Sequence, residues 1–145
     1  EFDLVSNRWK ELQPKGALPK CRNSHSMCEW NGKLILFGGH DGTNHLNDLL
    51  IYEVHLLIDE ADKYTWAQVA VKPTISCMRG HTAIVQGSYL HVFGGYSTSQ
   101  LILDGTDRLN DFWSVDLENN TTCEWSLNKT DRQPPGRQKH SCVGL

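Results

Sequence analysis

The chain has 145 residues, 39% hydrophobic and 21% charged, with a formal net charge of -3. Lysine and arginine are scattered along a chain of pI near 6.2, which argues against a nucleic-acid footprint. No run approaches the roughly 18 to 20 apolar residues of a membrane span, and no charged-then-apolar start marks a signal peptide.

The first residue is Glu1 rather than Met, so the sequence reads as part of a longer protein. Cys21, Cys28, Cys77, Cys123 and Cys142 are odd in number, far apart and without a Cys-x-x-Cys pair. Neither a metal cluster nor a disulfide framework is expected from that spacing, and a reducing intracellular compartment, cytoplasmic or nuclear, is. Three Asn-x-Thr sequons, at Asn119, Asn120 and Asn128, point the other way, towards secretion.

In chain order, Phe2-Asp3-Leu4 through Trp9 matches Val115-Asp116-Leu117 through Trp125, so the chain starts in the middle of a repeating unit. A loop with Pro14, Gly16 and Pro19 leads to Arg22. Ser24 to Trp30 alternate as a strand does, and Asn31-Gly32 predicts a two-residue hairpin, because both residues tolerate positive φ. The returning strand, Leu34 to Phe37, ends in Gly38-Gly39, where a sharp bend or close backbone approach is expected to exclude a side chain. The polar loop from His40 to His45 follows, then Asn47-Asp48 opens a strand from Leu49 to Val54. A turn of helix is expected over Leu56 to Lys63, and a strand carrying Trp66 over Tyr64 to Val71.

The second unit repeats this order. A loop through Pro73 and Arg79 precedes a strand from His81 to Val85, a turn at Gln86-Gly87-Ser88 and a strand ending in Gly94-Gly95. A longer loop from Tyr96 to Leu109, a strand from Asn110 to Asp116 and a Trp125 strand from Thr122 to Leu127 complete it. A third unit begins at Asp131 to Arg137 and stops after His140-Ser141. The period is 81 − 25 = 56 and 140 − 81 = 59 between His25, His81 and His140, and 94 − 38 = 56 between the glycine pairs. Such periodicity marks a repeat architecture. One register difference stands out: Arg22 and Arg137 lie three residues before their His, but Arg79 lies two before His81.

A Pro- and Arg-containing loop, His-Ser/Thr, an apolar strand ending in Phe-Gly-Gly, Asn-Asp-apolar and then Trp resembles the kelch repeat, over the whole chain. The resemblance implies an all-β fold, a partial kelch β-propeller of about two and a half four-stranded antiparallel blades. Residues 1–20 would end a preceding blade, 21–71 and 72–128 would be blades, and 129–145 would start the next. Closure takes 4 to 8 blades, so further blades are expected from a longer parent chain, without which two apolar faces would meet water.

Gly38, Gly39, Gly94 and Gly95 lack the form of a phosphate-cradling loop and read as structural. Trp9, Trp66 and Trp125 recur with the period and are expected to pack blade on blade with the indole N–H satisfied, and His25, His81 and His140 to be satisfied structural residues. No Gly-x-Ser-x-Gly elbow exists, and the His residues beside Ser26, Thr82 and Ser141 recur as scaffold does. His40 and His45 flank Asp41, but without a second ligand cluster no metal or cofactor is expected.

In the kelch family the loops before the His strand and after Gly-Gly emerge on one side and bind protein partners. The resemblance therefore implies a partner-binding site of Lys20, Arg22, His40, Asp41, Asn44, His45, Arg79, Tyr96, Arg108 and Arg137. It implies a non-enzymatic protein- or peptide-binding module, without nucleic acid or membrane. The alternative is a regulatory or substrate-docking propeller of a larger enzyme, such as a kelch-fused phosphatase or a ubiquitin-ligase adaptor. An extracellular sugar-binding or oxidase propeller is a third reading, favoured by glycan at Asn119 or Asn128.

Overall fold

The computed structural model describes residues 1–54, 64–98, 108–118 and 123–144. Every element among them is a strand. The hairpin β1 (Phe2–Asp3) and β2 (Arg8–Trp9) precedes two five-stranded sheets. The first orders β3 (Lys15–Gly16), β7 (Tyr64–Val69), β6 (His45–Val54), β5 (Lys33–His40) and β4 (Ser26–Trp30). The second orders β8 (Val71–Lys72), β12 (Cys123–Leu127), β11 (Phe112–Asp116), β10 (Tyr89–Phe93) and β9 (Thr82–Gln86).

Four strands of each sheet form the expected antiparallel meander. The fifth is an addition: Lys15–Gly16 and Val71–Lys72 pair in parallel with β7 and β12 on the outer edge. In the sequence Lys15–Gly16 reads as loop. A two-residue strand carries no alternation to read, and its pairing depends on an edge contributed some fifty residues later.

Asn31 and Gly32 adopt φ of 49° and 75°, the positive pair that a type I′ turn requires, and hold Trp30 opposite Lys33. Gly38 and Gly39 also have positive φ, 61° and 101°. The first-unit strand does not stop there as expected. A bulge between Phe37 and Gly39 lets β5 run on until His40 pairs with His45, so the supposed loop is a tight crossing whose ends are strand. At the second glycine pair the strand does stop, at Phe93. Both pairs are there for close approach: a Cβ on Gly39 would lie 2.8 Å from the Asn23 carbonyl oxygen, and one on Gly94 2.7 Å from that of Arg137.

Period-two alternation sorts the side chains between faces. Ile35, Phe37, Leu49 and Ile51 of the first sheet join Leu90, Val92, Val115 and Trp125 of the second in one core. Phe37 and Trp125 meet across it with ring centroids 5.2 Å apart. Leu36, Leu50 and Tyr52 point to the opposite face, yet are also buried, with Ala17 and Leu18 beside Leu50. On the far face of the second sheet, Thr130, Pro134, His140 and Cys142 border a groove of about 350 Å³ over Phe93 and Phe112. The two outer faces are thus partly covered rather than open.

The tryptophans divide. Trp125 is 4% exposed, but its Nε1 finds no hydrogen-bond partner, contrary to the expected satisfied indole. Trp66 packs tilted against Tyr52, ring centroids 5.1 Å apart, on the face pointing away from the second sheet. Trp9 is 81% exposed and touches the Phe2 ring; the described residues supply no sheet for it to pack on. The helical turn expected over Leu56 to Lys63, and the sequons at Asn119 and Asn120, lie outside the described residues. Asn128 does not: its Nδ2 donates to Ser114 Oγ at 2.6 Å and to the Phe112 carbonyl at 3.3 Å.

Candidate functional site at the loop corner

Three chain segments cross at the same end of each sheet. In the first, Asn23 bridges His40 and His40 pairs with His45; in the second, Arg79 bridges Tyr96 and Tyr96 bridges Arg108. Isolated bridges at Asn23, Arg79, Tyr96 and Arg108, and the end of the β5–β6 ladder at His40 and His45, keep this backbone paired past the sheet. Asn23 and Arg79 therefore occupy equivalent positions. Arg22, Met78 and Arg137 form the other set, since Met78 and Arg137 each offer a carbonyl to the second glycine of the preceding unit. The register difference is real: Arg79 is not the counterpart of Arg22.

Arg22, expected among the partner-binding residues, turns inward instead. Its side chain is 3% exposed and binds Asp48 through both nitrogens, Nη1–Oδ1 at 2.6 Å and Nη2–Oδ2 at 2.8 Å, with Nη1 also donating to the Gly38 carbonyl. The planar guanidinium fork suits this bidentate, half-dry pairing.

The other expected residues gather. The His40 and His45 rings lie 5.0 Å apart, His45 and Tyr96 5.5 Å, and the Arg79 Cζ sits 5.1 Å from the Tyr96 ring centroid. The strip thus passes from first sheet to second, and a hydrogen bond between His45 Nδ1 and Thr98 Oγ1 at 3.1 Å closes the crossing. Burial, then the Arg79 and His40 charges, lower the His45 pKa. Asp41 caps the tight loop by accepting from the Thr43 and Asn44 amides, which lowers its pKa, and Lys20 Nζ lies 3.9 Å away. Asn44 is exposed beside it. Arg108 is exposed next to Tyr96, and Arg137 follows, its amide donating to the Leu109 carbonyl.

The periodic histidines key the joint between sheets. His81 Nε2 pairs with Ser26 Oγ at 2.9 Å, and His140 Nε2 with Thr82 Oγ1 at 2.8 Å. Their satisfaction is half of what was expected: Nδ1 of His25, His81 and His140 is buried without a partner. Sequence reasoning, which marks the loop from Tyr96 to Gln100 and so includes Thr98, misses Asp48 and Met78. Asp48 had a signal in its repeated Asn-Asp dipeptide; nothing in the sequence joins it to Arg22.

The corner presents imidazole, phenol and guanidinium groups on hydrogen-bonded backbone. Among the described residues no group of three or more His, Cys, Asp or Glu side chains is placed to hold a metal ion. A two-bladed, partly open propeller with its loop-borne polar strip at one end is the class of structure these observations define.

The KLHDC2/KLHL20/DRC7 Kelch-repeats domain family matches residues 1–145, and the chain belongs to the kelch-repeat family. It is 34% identical over 143 residues to the F-box/kelch-repeat protein At1g51550 of Arabidopsis thaliana, covering 94% of this chain and 28% of that protein. It is 33% identical over 129 residues to the Rho GTPase-activating protein gacHH of Dictyostelium discoideum, covering 88% and 8%. Identity to Kelch domain-containing protein 3 of Homo sapiens is 30% over 101 residues, covering 68% and 25%. The chain therefore spans between 8% and 28% of the length of these relatives.

Proposed function

We propose that this chain is part of a non-enzymatic interaction module that holds a protein or peptide on its loop corner. The strip His40–His45–Tyr96–Arg79 carries this reading: it offers Tyr and Arg, residue types enriched at binding hot spots, on backbone held by paired bridges rather than free loops. The kelch assignment supports a module of this kind. Arg22 is left out of the contact set, because its guanidinium is already committed to Asp48.

The test is to replace Arg79, Tyr96 and Arg108 together by alanine in the full-length protein and compare the proteins captured with those captured by wild type. Loss of specific partners with unchanged thermal unfolding supports the site. Capture that survives in a folded variant removes it.

A second reading makes the blades a docking or regulatory part of a larger enzyme or ligase adaptor. It is favoured by relatives whose names include a Rho GTPase-activating protein and an F-box protein, and by the small share of each that this chain covers. The parent sequence on either side distinguishes the two: a catalytic or F-box-like segment favours the second reading, further Gly-Gly repeats alone the first. The intracellular, cytoplasmic or nuclear setting proposed from the scattered cysteines is open to direct test by fractionation.

A further inference from the structure

We propose that the seam between successive sheets is an acid-sensitive joint, which opens at its histidine end when His81 or His140 becomes imidazolium, while the ladder within each sheet persists. The two positions are built alike. Each ring stands edge-on to the phenylalanine of the preceding unit, His81 5.2 Å from Phe37 and His140 5.4 Å from Phe93. Each Cε1 fills the space above the first glycine, 3.0 Å from where a Cβ on Gly38 or Gly94 would stand. Each Nε2 meets the hydroxyl of Ser26 or Thr82.

Neutral imidazole suits this socket as the Nε2–H tautomer, in which Nε2 donates to the hydroxyl and Nδ1 carries no hydrogen that would need an acceptor. Imidazolium must donate from both nitrogens. At His81, which is 7% exposed, Nδ1 would become a charged donor buried without an acceptor. The titratable groups facing His81 are His25 on the first sheet and His140 on the closing segment, both cationic when protonated; Arg137 faces His140. None of these compensates a proton. Burial first, then those two histidines, lower the His81 pKa to about 4. With the closed-state pKa below the ordinary 6.5, closure is fully favoured above pH 6.5 and weakens as pH falls towards 4. Water reaches Nδ1 only if the seam parts. Three backbone bonds hold the seam near His81: Gly39 N–H to the Met78 carbonyl at 2.8 Å and Gly80 N–H to that of Ser24 at 2.9 Å, with Met78 N–H to that of Leu46 at 2.9 Å a little further off.

Hydrogen exchange of the full chain, corrected for intrinsic rates, is compared at pH 7 and pH 4.5. The Gly39 and Gly80 amides are expected to lose about 50 to 100 times more protection than the Leu90 and Val115 ladder amides, given an open-state His pKa near 6.5. His81→Gln removes that acid response at both amides while leaving it at Gly95 and Lys139, whose bonds lie beside His140. Seam and ladder amides losing protection together, no acid response down to pH 4, or a full response in His81→Gln overturns the proposal. Should that variant not fold, nitrogen-15 titration of the wild-type imidazoles decides: Nδ1 protonation must track Gly39 and Gly80 exchange, and a mismatch is fatal to the idea.

Discussion

Arg22 and Asp48, 26 residues apart in sequence, form a two-pronged ion pair with the arginine side chain 3% exposed, and the next unit puts Met78 where Arg22 would stand. One socket is thus filled by a charge with its partner in the first sheet and by a thioether in the second.

Arg22→Ala should destabilise the protein by about 2 to 4 kcal/mol, because it strands a partly buried carboxylate. The Arg22→Met, Asp48→Leu double variant should recover most of that loss, since both charges leave together. Urea unfolding of the three proteins measures it; equal losses in single and double variants would show that the arginine stem, not the charge pair, holds the corner.

Arg79→Ala should behave oppositely. Its guanidinium lies on an aromatic face and, among the described residues, pairs with no carboxylate, so stability should change by no more than about 0.5 to 1 kcal/mol. Affinity for a partner captured by wild type should fall about tenfold or more, as at an interface hot spot. Titration calorimetry with that partner reads this, and unchanged affinity removes Arg79 from the contact set.

Gly94→Ala and Gly87→Ala separate strain from collision. Both glycines have φ near +65°, but a Cβ at Gly87 meets nothing within 4 Å, whereas one at Gly94 lies 2.7 Å from the Arg137 carbonyl oxygen. Gly87→Ala should cost about 1 kcal/mol, the left-handed penalty alone, and Gly94→Ala about 2 kcal/mol more. Thermal unfolding of the pair checks the difference; similar shifts would mean that the joint yields.

Passed through a secretory pathway, the protein should carry no glycan at Asn128, whose Nδ2 already donates to Ser114 Oγ and the Phe112 carbonyl. Peptide mass mapping after glycosidase treatment tests this. Occupancy at Asn128 would show that β12 forms only after modification.

What could be read from the chain alone was whatever depends on short separations. The alternation around Ile35 and Leu90, the Asn31-Gly32 turn and the paired glycines are local signals, and their recurrence at 56 to 59 residues disclosed the family and the meander of each sheet. The tertiary structure alone decided which residues at equal spacing do unequal work. Arg22 is drawn inward to Asp48 while Arg79 lies out on Tyr96; Trp125 is buried against Phe37 while Trp9 stands in solvent. The reason is that a periodic sequence specifies repeated strands, whereas the fate of a side chain depends on what the fold brings against it, from 96 − 79 = 17 positions away for Arg79 and Tyr96 to 125 − 37 = 88 for Phe37 and Trp125.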